Sequence, residues 1–301
     1  MSRTALLFFP LALLAADTSV EVRNSQIWLV RGSESKQLTS DSKEKSNAVL
    51  SNSGKLIAYQ ECPGAKGCER AVVIIDASGK TVRRIPAATG GCADLAEWHG
   101  DETLVAQCHM NPSLEEYVEW NAVTGATKRE LLGYWFTPSP DGRTIAHVGW
   151  NPHFADPSAK SNYLQFDDET VYPLPKGFNP KAAENGLPKA PPVVKKHGST
   201  YFGIHEFMPH LGWSPDSGRV ALIDCIYSWT VAAGGAKEQG NASAKQCSLA
   251  VVGRSIEPIV LPINEVPTAE LQSATVEWKT PGRIAVQAAS GVKTFELKES
   301  R

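Results

Sequence analysis

The sequence predicts an all-β protein built from repeated antiparallel units, and three observations carry that reading. One turn motif recurs five times along the 301 residues. A short strand of small and branched apolar residues follows each copy, and further strand-like runs joined by Gly, Asn or Asp follow most copies.

The five copies span Ala48–Tyr59, Leu95–Ala106, Trp135–Ala146, Leu211–Leu222 and Val276–Val286. Where Pro occurs it presets φ at the first corner. Asp accepts hydrogen bonds from the local backbone, and Gly is expected to supply the positive φ that closes the turn. A bulky residue stands just before each turn, at Leu50, Trp98, Phe136, Trp213 and Trp278, where a packing anchor is needed. The strand after the turn, Ile-Ala or Val-Ala in type, is apolar on both faces and suits a sheet sandwiched between neighbours.

Two more strands follow in each unit. Val72 to Asp76 precedes Val82 to Ile85, and Glu116 to Trp120 precedes Lys128 to Leu132. Tyr163 to Phe166 precedes Thr170 to Leu174, and Ser248 to Val252 precedes Pro258 to Pro262. Four antiparallel strands make the blade of a β-propeller. Taking Ile57, Val105, Ile145, Val220 and Ile284 as equivalent gives spacings of 48, 40, 75 and 64 residues. The first two match propeller periods of roughly 40 to 50, and the last two require insertions. The count points to five blades, with six as the alternative. The N-terminal strands (Gln26 to Val30, Lys36 to Thr39) and C-terminal strands (to Leu297) are expected to complete one blade jointly.

Ser139-Pro140-Asp141-Gly142-Arg143-Thr144-Ile145-Ala146 and Trp213-Ser214-Pro215-Asp216-Ser217-Gly218-Arg219-Val220-Ala221 resemble the repeat of TolB-type propellers. Related repeats form the propeller domains of prolyl oligopeptidase and dipeptidyl peptidase IV-like proteins. The resemblance covers most of residues 25–298 and implies the fold. It assigns no activity, and the partner-binding role of TolB is not carried over.

The first residues set the compartment. Arg3 gives a positive start, Ala5 to Ala15 is apolar except for Pro10, and Ala15-Ala16 precedes the polar Asp17. That pattern reads as a signal peptide over residues 1–16, followed by a single domain over 17–301. A periplasmic or secreted protein is expected, with no transmembrane segment after signal removal. Thirty basic residues nearly balance 32 acidic ones, so nothing electrostatic points to nucleic acid. Six cysteines in an exported chain predict disulfides, and strand order pairs Cys62 with Cys68, Cys92 with Cys108, and Cys225 with Cys247.

Two insertions interrupt the repeat, at about 176–210 and 228–246. The first collects His197, Tyr201, Phe202, His205, Glu206 and His210 just before an inner strand, and is expected to line a ligand site. The second is rich in Ala, Gly and Ser, and is expected to be mobile and dispensable. The histidines invite a metal reading, left open, but His205 and His210 are spaced i to i+5 with Pro209 between them. A zinc-protease helix needs i to i+4. Glu206, Asp224 and Glu277 could lie near one face, yet spacing alone pairs none of them. No Gly-x-Ser-x-Gly elbow occurs, and no cofactor is called for.

The sequence therefore favours an exported, non-catalytic binding or scaffold propeller, its ligand a protein or peptide. The alternatives are a small extracellular hydrolase with a site near 197–210, and an accessory propeller for a separate catalytic chain.

Overall fold

The computed structural model describes residues 18–63, 68–86, 94–110, 114–149, 161–174, 194–195, 199–232, 240–264 and 266–297. The chain divides into two compact units, residues 1–107 with 118–129 and residues 108–117 with 130–301. Both are built from antiparallel β-strands.

In the first unit, β1 (Thr18–Arg23), β2 (Gln26–Arg31) and β3 (Glu34–Gln37) form a three-stranded sheet. A four-stranded meander follows: β4 (Lys45–Leu50), β5 (Leu56–Glu61), β6 (Ala71–Asp76) and β7 (Thr81–Pro86). β8 (Leu95–His99) and β9 (Thr103–Met110) make the next hairpin, continued by β10 (Leu114–Asn121) and β11 (Thr127–Pro138). The last three of these strands contribute residues to both units.

In the second unit, β11 pairs with β12 (Ile145–Gly149), which continues into β13 (Tyr163–Phe166) and β14 (Glu169–Tyr172). The next sheet contains β15 (Val194–Lys195), β16 (Ser199–Phe207), β17 (Gly212–Trp213), β18 (Arg219–Val231), β19 (Gly240–Ala242), β20 (Gln246–Gly253) and β21 (Ile259–Pro262). A four-residue helix, α1 (Thr268–Leu271), leads to β22 (Thr275–Thr280), β23 (Arg283–Ala288) and β24 (Gly291–Glu296). The all-β, blade-like meanders expected from the repeat are present. The first three and last three strands, expected to complete one blade together, each form a three-stranded sheet of their own.

Burial explains the composition of the strands after the turns. Along β18, Val220 and Leu222 enter a cluster with Phe166, Tyr172 and Ala250. Ala221, Ile223 and Cys225 enter another with Trp278, Ile284 and Phe295. Successive side chains point to opposite faces, so a strand covered on both faces has no room for polar alternation. In the first unit, Ile27 and Leu29 of β2 pack on Ile57, Tyr59, Val73 and Ile75.

The repeated turn is a small hydrogen-bonded machine. Ser139 Oγ donates to Asp141 Oδ1 at 2.6 Å and accepts from Thr144 N at 3.1 Å, while Asp141 Oδ1 accepts from Arg143 N. Ser214 and Asp216 repeat the arrangement. These bonds hold the carboxyls of Asp141 and Asp216 below the usual carboxylate range. Gly54, Gly100 and Gly142 take positive φ as expected. In the Asp216-Ser217-Gly218 copy the positive φ of 60° falls on Ser217. The Ser217 hydroxyl also accepts Asp141 N at 3.1 Å from the neighbouring turn.

The anchors before the turns join successive sheets. Trp98 Nε1 donates to Val49 O at 3.2 Å. Trp213 Nε1 donates to Thr137 O at 2.9 Å, and Trp278 Nε1 to Gly212 O at 2.9 Å. Trp98 and Trp278 are buried and Trp213 is partly buried, and each indole satisfies its N–H on a backbone carbonyl. Phe136, which lacks a donor, stacks instead on Tyr117 and His147 at centroid distances of 5.2 and 5.1 Å.

His147 is 2% exposed, and its Nε2 lies 2.6 Å from Asp167 O. Nδ1 is buried with no partner among the described residues. Burial pushes the imidazole down to about 4, against a smaller opposing pull from Asp167. The neutral ring is therefore the folded form. Its contribution to stability is complete above the unfolded value near 6.5 and falls as the pH drops from there towards 4. At about 1.4 kcal/mol per pH unit the loss approaches about 3 kcal/mol. Denaturant melts at pH 7, 5.5 and 4.5 should show His147→Gln flattening this slope. An unchanged slope would show that acid sensitivity arises elsewhere.

Candidate ligand-binding site

Two disulfides agree with the expected pairs. Cys62 and Cys68 have Cα atoms 5.8 Å apart, and Cys225 and Cys247 4.0 Å. The second pair sits directly across β18 and β20 in register. Cys108 is also disulfide-bonded; Cys92 lies outside the described residues.

The first insertion is not an open loop through its second half. β16 pairs with β18 from Thr200 opposite Thr230 to Phe207 opposite Asp224, with a bulge between Tyr201 and Ile204 where Gly203 takes φ 67°. The second insertion joins the same sheet, because Trp229, Thr230 and Val231 of β18 pair with Ala242, Asn241 and Gly240 of β19. The expectation of a loop over 228–246 is corrected to this extent: residues 229–231 and 240–242 are paired strand. Removing it would delete β19 and the end of β18 that supports Thr200 and Tyr201. Sequence composition misled here because small residues allow close pairing as readily as mobility. A Cβ on Gly240 would lie 2.3 Å from Thr230 O.

Strand alternation sorts the expected site residues. His205 and Phe207 share one face with Ile226 and Asp224, their register partners, while Glu206 shares the other with Cys225. His205 and Glu206 are therefore not brought together. Tyr201 is buried at 3% exposure, and His210 stands exposed beyond the end of β16 with φ 86°. His197 lies outside the described residues. Among the described residues no group of three or more His, Cys, Asp or Glu is placed to hold a metal ion.

Around His205 a different set assembles. Asp224 is fully buried, and its Oδ2 lies 2.7 Å from His205 Nδ1 and accepts the Tyr172 hydroxyl at 2.7 Å. Asp224 Oδ1 is buried without a partner among the described residues. Burial, and then the Asp224 charge, raise the Tyr172 hydroxyl far above its ordinary value, so it stays protonated and donates. The Tyr172 ring meets His205 edge-on at 5.7 Å. The backbone of β16 is held by Ser161 and Asn162. Ser161 Oγ accepts His205 N at 3.2 Å, Asn162 N donates to His205 O, and Asn162 Oδ1 accepts Phe207 N.

On the opposite face, Lys245 Nζ lies 2.6 Å from Glu206 Oε2 and 5.7 Å from the Tyr227 ring centre. Burial, and then Glu206, push the Tyr227 hydroxyl up to about 12. Of the three carboxylates noted in the sequence, Asp224 is buried, Glu206 pairs with Lys245, and Glu277 is exposed and pairs with Lys279. They do not form an acid–base pair. Sequence reasoning missed Tyr172, Tyr227 and Lys245. It had one available signal for Asp224, a lone carboxylate inside the apolar run Val220 to Ile226.

No family model matches the chain, and no curated protein matches it. Among solved structures it is similar to the β-propeller domain of the Trilobed protease from Pyrococcus furiosus. The identity is 11%, over 94% of this chain and 78% of that one, with a TM-score of 0.35. It is also similar to a putative TolB from Agrobacterium tumefaciens, at 10% identity over 79% of each chain, with a TM-score of 0.31. TolB from Acinetobacter baumannii is 14% identical over 94% of this chain, with a TM-score of 0.31. The chain spans 63% of that protein's length.

Proposed function

We propose that the chain is an exported, non-catalytic binding protein whose ligand is a protein or peptide, taken up by the ribbon that the two insertions build. One observation carries this reading. β16 and β18 run on past the blade sheet, are flanked there by β15 and β19, and present Phe202 at 56% exposure and Ile226 at 36%. A large exposed aromatic on an ordered ribbon, beside hydrogen-bonding side chains such as Thr200 and Thr230, is the composition of a recognition surface. The disulfides support an oxidising compartment.

A photo-crosslinking residue at position 202 tests the reading. It should give adducts of defined mass in a cell-envelope extract, suppressed by excess unlabelled protein. The same residue at position 260, an equally exposed site on β21 (Val260, 51% exposed), should not. Adducts from 260 and none from 202 would move the binding surface off the ribbon.

A further inference from the structure

In chain order the sheets end on β3, β7, β14, β21 and β24, and each of these has one edge without a paired strand among the described residues. Four of the five are blunted in ways that keep a strand from pairing with another chain. β3 is four residues long, exposed and without an apolar side chain. β7 and β14 meet their neighbours through a register shift. β21 is four residues long, with Pro258 just before it and Pro262 as its last residue. β24 differs: its six residues pair with β23 in unbroken register and include no proline, and Val292 is 63% exposed. Its two charges are engaged within its own sheet. Glu296 Oε1 is tied to Arg283 at 2.6 Å, and Lys293 Nζ lies 5.4 Å from the centre of the Phe295 ring.

The register decides which backbone groups this edge offers. Leu297 N donates to Gly282 O, and hydrogen-bonded pairs alternate along an antiparallel ladder. Gly291, Lys293 and Phe295 therefore bond to β23, while Val292, Thr294 and Glu296 direct their N–H and C=O outward. A second β24, antiparallel with Thr294 on the two-fold axis, matches all three outward residues. Thr294 then faces its own counterpart, a favourable pair, Val292 faces Glu296, and Lys293 faces Phe295. No like charges stand opposite each other. An axis at Lys293 would oppose two lysines, and an axis at Phe295 would leave Val292 opposite a residue beyond the strand's end. We propose that two copies of the chain associate through β24 in this register. The three-stranded sheet β22–β24 of each copy then joins into one sheet of six strands. The interface is isologous and closed, and consists mainly of a backbone ladder, so the dimer is weak and concentration-dependent.

Sedimentation velocity over a dilution series reaching about 100 μM should show a monomer–dimer equilibrium. Thr294→Pro removes the outward N–H on the axis and leaves the bonds to β23 in place. It should raise the dissociation constant by about tenfold or more, while the dilute protein melts as before. Thr294→Cys is a second variant that keeps the backbone donor. No described cysteine is free, so in a glutathione redox buffer the new thiol should give a covalent dimer. Val292→Cys should not, because the two copies of position 292 lie four residues apart along the paired strands. A monomer at every concentration overturns the proposal, as does a dimer that folded Thr294→Pro leaves intact. A covalent dimer from Val292→Cys and none from Thr294→Cys also overturns it. A Thr294→Cys protein that takes up glutathione without ever dimerising would leave the edge to a strand of another protein, and rules out self-pairing.

Discussion

Asp224→Ala is expected to lower the stability of the protein by about 2–4 kcal/mol, since a buried group left without its hydrogen-bond partner costs about 1–3 kcal/mol and two groups lose theirs here. The substitution strips the acceptor from the Tyr172 hydroxyl and from His205 Nδ1 together. Tyr172, at 7% exposure, then holds a buried donor that water does not reach. A chain of this length loses a few degrees of melting temperature per kcal/mol, so the midpoint should fall by roughly 10 °C. Asp224→Asn keeps an acceptor and should cost less than half as much. Urea titrations of the three proteins decide the matter. A loss below about 1 kcal/mol for the alanine variant would mean that the network is not holding β14 to β16 and β18.

Gly133→Ala should cost about 3 kcal/mol, at the upper end of overpacking penalties, although it adds a single methyl group. The new Cβ would lie 2.5 Å from His147 Nδ1 and 2.5 Å from Val148 O. Neither neighbour can yield cheaply. The imidazole is fixed by its Asp167 contact and by Phe136, and Val148 belongs to a paired strand. Because two atoms clash, His147→Ala should rescue only part of the loss, and a double-mutant cycle should show clear non-additivity. A Gly133→Ala protein within about 0.5 kcal/mol of wild type would show that β11 shifts freely at this point.

These two positions mark what could and could not be read from the amino-acid order. The turns were legible because their chemistry is local. Ser139, Asp141 and Gly142 act within five residues, and each Trp precedes its turn at a fixed offset. Ser217 was not, since it takes the positive φ expected of Gly218, and its hydroxyl's partner, Asp141, is 76 residues away. The candidate site was half legible. His205 was singled out, but grouping it with Glu206 ignored the two-residue period of a strand, which sends neighbours to opposite faces. Its real partners are on other strands, Asp224 at a separation of 19 residues and Tyr172, itself 52 residues from Asp224, on the other side of His205 in the chain. No spacing rule connects three strands before their order and register are known. Gly133 gave no signal either, because the need for a missing side chain arises only when β12 lies against it.

The tryptophan bonds have a direction in time as well as in space. In all three, the carbonyl acceptor precedes the indole donor in the chain, by 49 residues for Trp98, 76 for Trp213 and 66 for Trp278. A polypeptide emerging N-terminus first, from a ribosome or an export channel, therefore delivers each docking edge before the ring that must dock on it. Val49 is in place when Trp98 arrives, Thr137 when Trp213 does, and Gly212 when Trp278 does. Assembly can proceed sheet by sheet with each new strand set closing on a finished surface. A rearranged chain beginning at Gly212 would keep Gly212 ahead of Trp278 but make Trp213 wait for Thr137. Such a permutant should reach the same stability along a slower route.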